Sequence, residues 1–178
     1  MTCRLSNVLQ CTALLGKYML RLDKINAKNV QDILKLNVSE NQKSFVAGND
    51  ASIIEAYTAV TANGYAFLFG IYDDEMPVGF LMIGFGVYDY WDDAPKIAYG
   101  NYNLWRLMID EKYQTRGYGK TAVSLALQFI RTFPCGKAEY CWVSYEPENN
   151  IARRLYASFG FYETGETDGT ELIALLKL

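Results

Sequence analysis

Histidine is absent from the 178 residues, and the four cysteines (Cys3, Cys11, Cys135, Cys141) form no C-x-x-C pair. Without an imidazole, a His-based catalytic dyad is excluded, and a zinc site loses its usual ligand sets, so no metal is expected. Cys141 sits in the apolar run 140–143, where a thiol packs as a small hydrophobe and is not a nucleophile. Thiols used in this way suit a reducing compartment, so the expected location is cytoplasmic. Positive charge is also short: 17 Lys and Arg stand against 20 Asp and Glu, for a net charge of −3 and a pI near 5.0. That balance argues against nucleic acid as a partner and suits a cationic small molecule. No apolar run approaches the length of a membrane span, so no membrane partner is expected either. Repeats, linkers and a second domain are not visible, and 51% hydrophobic residues in 178 can fill the core of one α/β domain.

What the chain does have is a polar loop, residues 110–121, set between an apolar run at 104–109 and a segment in which Val123, Ala126, Leu127 and Ile130 recur at helical spacing. Near its end stand Gly117 and Gly119, which let the backbone take unusual dihedrals and come close to a ligand. Their N–H groups, the orphan donors of the following helix, and the charges of Arg116 and Lys120 make an anion site suited to a phosphate or pyrophosphate. A P-loop reading fails, because Gln114 occupies the position of its first glycine. A Rossmann reading through Gly117, Gly119 and Ala122 leaves too many polar residues between strand and glycine, and too little chain afterwards. The pattern that matches is Q-x-x-G-x-G, at Gln114, Gly117 and Gly119.

Element signals alternate as α/β along the rest of the chain. Residues 19–22 read as a first strand, and Asn26 as the cap of a helix over Val30, Ile33, Leu34 and Leu36. A second helix is predicted across Ile53, Ile54, Tyr57 and Val60, ending at Asn63 and Gly64. Strands at 65–72 and 78–88 flank the polar connection 73–77. A strand is predicted at 139–144, then a helix capped by Asn149 with Ile151, Ala152, Leu155, Tyr156 and Phe159 on one side. A closing hairpin pairs 161–163 with 171–177. Residues 1–18 are the least informative stretch and are expected to be a poorly packed extension ahead of a domain spanning 19–178.

With its glycine loop and a second segment carrying Asn149, Ala152, Tyr156, Gly160 and Phe161 at N-x-x-A-x-x-x-Y-x-x-x-G-F spacing, the chain resembles the GNAT superfamily of acetyl-CoA-dependent N-acetyltransferases. Residues 38–46 and 109–114 look most like bacterial spermine/spermidine acetyltransferases. The resemblance implies an α/β (α+β) fold with a mixed central sheet of about seven strands flanked by helices. It implies acetyl-CoA as the acetyl donor, held by Leu107, Met108, Ile109, Gln114, Thr115, Arg116, Gly117, Tyr118, Gly119, Lys120, Thr121 and Asn149, with CoA as product. It places Tyr156 as the acid that protonates the departing thiolate, which suits a phenol with pKa near ~10. The acceptor is a small-molecule amine, with polyamines first and a protein or peptide amine or a non-catalytic acyl-CoA-binding module as alternatives; similar proteins form homodimers. Many relatives carry a carboxylate on the central strand where this chain has Trp105, so proton removal is expected through water, aided by Glu40 or Asp89. The acidic loop 89–93 is read either as the rim of the acceptor mouth or as a solvated turn, and Arg153 and Arg154 as a phosphate contact or an exposed helix face.

Overall fold

The computed structural model describes residues 12–15 and 18–178. The rest of the expected extension, with Cys3 and Cys11, lies outside the described residues. In chain order the elements are β1 (Thr12–Leu15), β2 (Tyr18–Lys24), α1 (Val30–Ile33), α2 (Asn49–Thr61), β3 (Tyr65–Asp73), β4 (Met76–Phe85), β5 (Tyr102–Ile109), α3 (Tyr118–Ile130), β6 (Tyr140–Tyr145), α4 (Asn150–Ala157), β7 (Tyr162–Asp168) and β8 (Glu171–Lys177). They build one eight-stranded sheet in the order β1-β2-β3-β4-β5-β6-β8-β7. All neighbours are antiparallel except β5 and β6. The strand beyond the expected seven or so is β1, which pairs with β2 from within residues 1–18.

The largest core lies between one face of the sheet and α3. Thirteen residues long, α3 buries Ala122, Val123, Leu125, Ala126, Phe129 and Ile130 against Leu22, Phe69, Leu81 and Ile83. The spacing of those positions is the apolar stripe expected of a helix lying on a sheet. Phe129 meets Phe67 and Phe69 edge-on, with ring centroids 5.1 Å from each. On the other face, α1 and α2 cover Phe80, Met82 and Met108.

Two expectations are corrected here. The first helix is a single turn, α1, with Asn29 at its N-cap; Asn26 instead accepts the Lys28 N–H in a local turn. The apolar positions of α2 also divide: Ile53 packs against the core, but Ile54 and Tyr57 are 63% and 70% exposed and Val60 also faces outward, and the buried residues are Asn49, Ser52, Ala56 and Ala59. Small side chains let α2 lie close to the sheet. At its start, the buried Asn49 donates through Nδ2 to the carbonyls of Ile33 and Leu36 at 2.8 and 3.4 Å, tying the two helices together. No helix among the described residues is long and apolar enough to cross a membrane.

Candidate active site

The sheet opens where β5 meets β6. Those strands pair in parallel only at Tyr102 with Cys141 and Asn103 with Trp142, although β5 runs on to Ile109 and β6 to Tyr145. Beyond Asn103 the edge of β5 facing β6 therefore has no strand partner, and its backbone polar groups are available to a ligand, apart from the Trp105 and Ile109 carbonyls, which accept from Arg106 and Gln114. A register shift against β4 adds to this: Met82 pairs with Arg106 and Ile83 with Leu104, leaving Trp105 as the extra residue of a bulge. Bulges bend a strand and re-aim a side chain, and Trp105 faces into the wedge.

One arm of the wedge is a cavity of about 430 Å³ between the end of β5, the glycine loop, the start of α3 and α4. Leu107, Met108, Ile109, Gln114, Thr115, Gly117, Tyr118, Gly119, Lys120, Asn149 and Tyr156, all expected site residues, line it. The loop is held by its own polar side chains. Asp110, buried, accepts the N–H of Lys112 at 3.1 Å and of Asn37 at 3.0 Å. Gln114 Nε2 donates to the Ile109 carbonyl and to Gln42 Oε1, both at 2.9 Å. Gly117 then turns the chain into α3 with φ +83°, a region that L side chains enter only at a cost.

The first intrahelical bond runs from Thr121 N–H to the Gly117 carbonyl at 3.2 Å, so the N–H groups of Gly119 and Lys120 precede it and form the positive end of the helix. A Cβ added at Gly119 would lie 3.8 Å from Leu155 and 3.9 Å from Ile109, ordinary contact distances. The protein itself leaves room at position 119; what the glycine keeps clear is the cavity. Arg116 donates to the Lys112 carbonyl at 3.1 Å and lies over the Tyr113 ring, outside the cavity lining. Tyr118 donates to Asp73 at 2.6 Å, anchoring α3 to the end of β3.

The second arm is a cavity of about 320 Å³ bordered by residues 43–47, the bulged segment of β5, β6, α4 and the start of β8. Both arms share Phe45, Val46, Leu107, Asn149, Ala152 and Tyr156, so they are two ends of one cleft. Asn149 caps α4, its side chain accepting the Ala152 N–H at 3.0 Å. Tyr156 projects from α4 at the junction, is 7% exposed, and is braced by Tyr145 (5.9 Å, interplanar 20°) and Phe161 (5.5 Å). Burial raises its phenol pKa well above the ordinary tyrosine value, with Cys141, Tyr145 and Glu171 adding to the rise. The group is therefore a proton carrier through neutral and mildly alkaline pH, fit to donate and unfit to serve as a base.

Aromatic rings (Phe45, Trp105, Tyr145 and Tyr156) line the second arm together with Lys43, Arg106 and one carboxylate, Glu171. Trp105 stacks on Tyr88 at 6.2 Å, and Tyr88 on Trp91 at 5.1 Å. Arg106 is neutralised by Glu55 at 2.8 Å. Glu171, at the start of β8, accepts from the Ser144 hydroxyl at 2.5 Å. Next to it in register, Asp168 has its carboxyl pKa raised by burial and by the charges of Glu171 and Asp93. Sequence reasoning missed Glu171; the signal that could have found it is the hairpin that returns β8 beside β6. Glu40 and Asp89 are not part of either lining: Glu40 is solvent-exposed and pairs with Lys43, and Asp89 accepts from Asn63 Nδ2 at 2.7 Å. Of the loop 89–93, Trp91 reaches the aromatic stack through Tyr88, and Asp93 reaches the carboxylate group electrostatically. Arg153 pairs with Glu163 at 2.7 Å and Arg154 is exposed, both away from the cleft.

Comparison with known proteins agrees with this geometry. The chain is 34% identical over 152 residues to the spermine/spermidine N(1)-acetyltransferase of Bacillus subtilis (strain 168), covering 81% of this chain and 91% of that protein. Among solved structures, the PaiA N-acetyltransferase of Thermoplasma acidophilum, in complex with coenzyme A, superposes with a TM-score of 0.60 at 15% identity, over 89% of this chain and 99% of that one. The aminoglycoside acetyltransferase AAC(6')-Ib, also with coenzyme A, gives 0.69 at 14% identity over 89% and 94%. The family model described as the acetyltransferase (GNAT) family matches residues 30–161. The chain therefore belongs to the acetyltransferase (GNAT) family, and is an acetyl-CoA-dependent N-acetyltransferase.

Proposed function

We propose that the chain acetylates a primary amine of a polyamine, such as spermine or spermidine, by direct transfer from acetyl-CoA. The observation that carries the reading is the meeting of two unlike arms at Tyr156: one lined by glycines and a helix N-terminus, the other by aromatic rings and the Glu171 carboxylate. In the first arm, the N–H groups of Gly119 and Lys120 and the Lys120 charge hold the pyrophosphate, while the unpaired edge of β5 at Leu107–Ile109 receives the pantetheine and polarises the thioester carbonyl. Acetyl-CoA supplies the acetyl group as a thioester. Tyr156, protonated and buried at the junction, gives its proton to the departing sulfur.

In the second arm, Trp105, backed by the stacked Tyr88 and Trp91 and with the Arg106 guanidinium 5.9 Å from its ring centroid, offers aromatic surface to the alkyl chain and ammonium of the acceptor, with Asp93 and Asp168 adding negative potential nearby. The Bacillus relative named for spermine and spermidine supports the same acceptor class. The test is thiol release from acetyl-CoA across spermine, spermidine, monoamines of matched length, aromatic amines and peptides. The proposal expects kcat/KM for the polyamines to exceed that for the monoamines by about tenfold or more, the size of one desolvated cation–π or charge contact. Turnover with peptides and none with polyamines would replace it with the protein or peptide reading. Acetyl-CoA binding with no turnover on any acceptor would point to a binding module.

A further inference from the structure

We propose that Glu171 accepts the proton of the acceptor ammonium, the task left open by a tryptophan at position 105 of the central strand. The assignment rests on the acetyltransferase reading and adds the base to it. Among the residues lining either arm of the cleft, Glu171 is the one carboxylate. Of the other acids near the site, Glu55 is committed to Arg106, Glu40 to Lys43, Asp89 to Asn63 and Asp110 to the backbone of the loop, while Asp93 and Asp168 line neither arm. Glu171 has no lysine or arginine partner among the ion pairs of the described residues. Its Oε2 takes the Ser144 hydroxyl hydrogen, which fixes the carboxylate and leaves Oε1 for a ligand. It stands near enough to Tyr156 for its charge to bear on the phenol at the junction of the arms. A carboxylate in that place attracts the ammonium to the thioester and then removes a proton from it.

Both protons of the exchange are then accounted for. The acceptor nitrogen arrives as R–NH₃⁺ and loses one proton to Glu171, which passes it to solvent through the mouth of the cavity. The neutral nitrogen forms the C–N bond as the C–S bond breaks. The second N–H proton leaves as the amide forms and replaces the one that Tyr156 has given to sulfur, so CoA departs as the thiol and the tyrosine is restored. Neither residue is consumed, and no further reactant enters.

The experiment uses the full-length enzyme and Glu171→Gln, which keeps an acceptor for the Ser144 hydroxyl and removes only the charge. At pH 7 kcat/KM for spermidine should fall by about 10²- to 10⁴-fold, the usual weight of a general base, with acetyl-CoA affinity unchanged by calorimetry. The fraction of neutral amine rises about tenfold per pH unit below a pKa of ~10, so the deficit should shrink steadily between pH 7 and pH 9. The groups facing Glu171 — Ser144 from β6, Asp168 from β7, Tyr156 from α4, and Lys43 and Arg106 across the cavity — are common to both enzymes and cancel in the ratio. Should the glutamine variant also lose acetyl-CoA binding, Glu171→Asp carries the test, with lowered kcat at unchanged acetyl-CoA affinity expected. Either variant turning over within about twofold of the parent, or a deficit that does not change with pH, overturns the assignment. If the parent enzyme acetylates no amine, the acceptor reading itself fails and takes this assignment with it.

Discussion

The two arms of the cleft differ in how they are built. The cofactor arm comes mainly from one continuous stretch, the end of β5 through the start of α3, closed by α4 with its cap Asn149 and by Val38, Gln42, Phe45 and Val46. Its recognition is mostly backbone: glycines, helix N–H groups and an unpaired strand edge. The acceptor arm is assembled from segments far apart in sequence, namely residues 43–47, a bulge in β5, the ends of β6 and β8, and α4, with Tyr88 and Trp91 stacked behind Trp105. What it presents to a ligand is side chains: aromatic rings, the Glu171 carboxylate, and Lys43 and Arg106. A backbone site demands particular dihedrals and small residues at fixed spacing, so it leaves a motif. Side chains that meet only after folding leave none.

That contrast predicts separable failures. The largest effect belongs to Gly119→Val, which should weaken acetyl-CoA binding by more than about 100-fold, or ~3 kcal/mol, with little change in Tm, because only the cavity loses space. Gly117→Ala should differ in kind: forcing a Cβ at φ +83° costs about 1–2 kcal/mol of stability and shifts the melting transition itself. Equal effects of the two on stability would break the distinction between a ligand-facing glycine and a conformational one.

Next is Tyr156→Phe, whose kcat should drop by about 10²-fold or more while acetyl-CoA affinity is preserved; full turnover would show that solvent protonates the sulfur. A smaller effect is expected for Trp105→Ala. Losing one ring face from the stack should raise the polyamine KM by about 3- to 30-fold, equivalent to ~0.5–2 kcal/mol of cation–π attraction, without altering acetyl-CoA binding. If acetyl-CoA affinity changes as much as KM, the two arms are not separable.

The smallest effect tests the core beneath the cleft, where Cys141 is fully buried. Burial pushes the Cys141 thiol up from 9.0 to about 12. A group whose pKa is raised in the folded state contributes stability that is full below its unfolded pKa and lost as pH rises toward the folded value. Denaturant midpoints should therefore decline between pH 9 and about 12, and decline less steeply in Cys141→Ala. Parallel curves for the two proteins would assign the whole alkaline loss to the buried tyrosines.

Legibility in the sequence followed the same divide. Gln114, Gly117 and Gly119 mark the loop, and Asn149 and Tyr156 mark α4, because cap, turn and junction each require a specific residue type at a set distance. Trp105 was identified by position, but the bulge that turns it into the wedge depends on its pairing with β4 and could not be read from β5 alone. Glu171 was missed because it becomes part of the site only through the strand order that seats β8 beside β6. For α2, periodicity pointed the wrong way: Ile54, Tyr57 and Val60 repeat like a core face, yet the close approach of helix to sheet selects Ser52, Ala56 and Ala59. Apolar spacing locates a helix more reliably than it tells which face is buried.

The central claim is that the two arms form one continuous site, with the amine and the thioester meeting at Tyr156. A conjugate of spermidine joined through an acetyl link to the sulfur of CoA would occupy both arms at once, and its affinity can be measured by calorimetry beside those of acetyl-CoA and spermidine. The account predicts that the conjugate binds at least about 100-fold more tightly than acetyl-CoA, since linking converts the second contact into an intramolecular one, and that Trp105→Ala removes much of that gain. A conjugate that binds no better than acetyl-CoA would contradict the account.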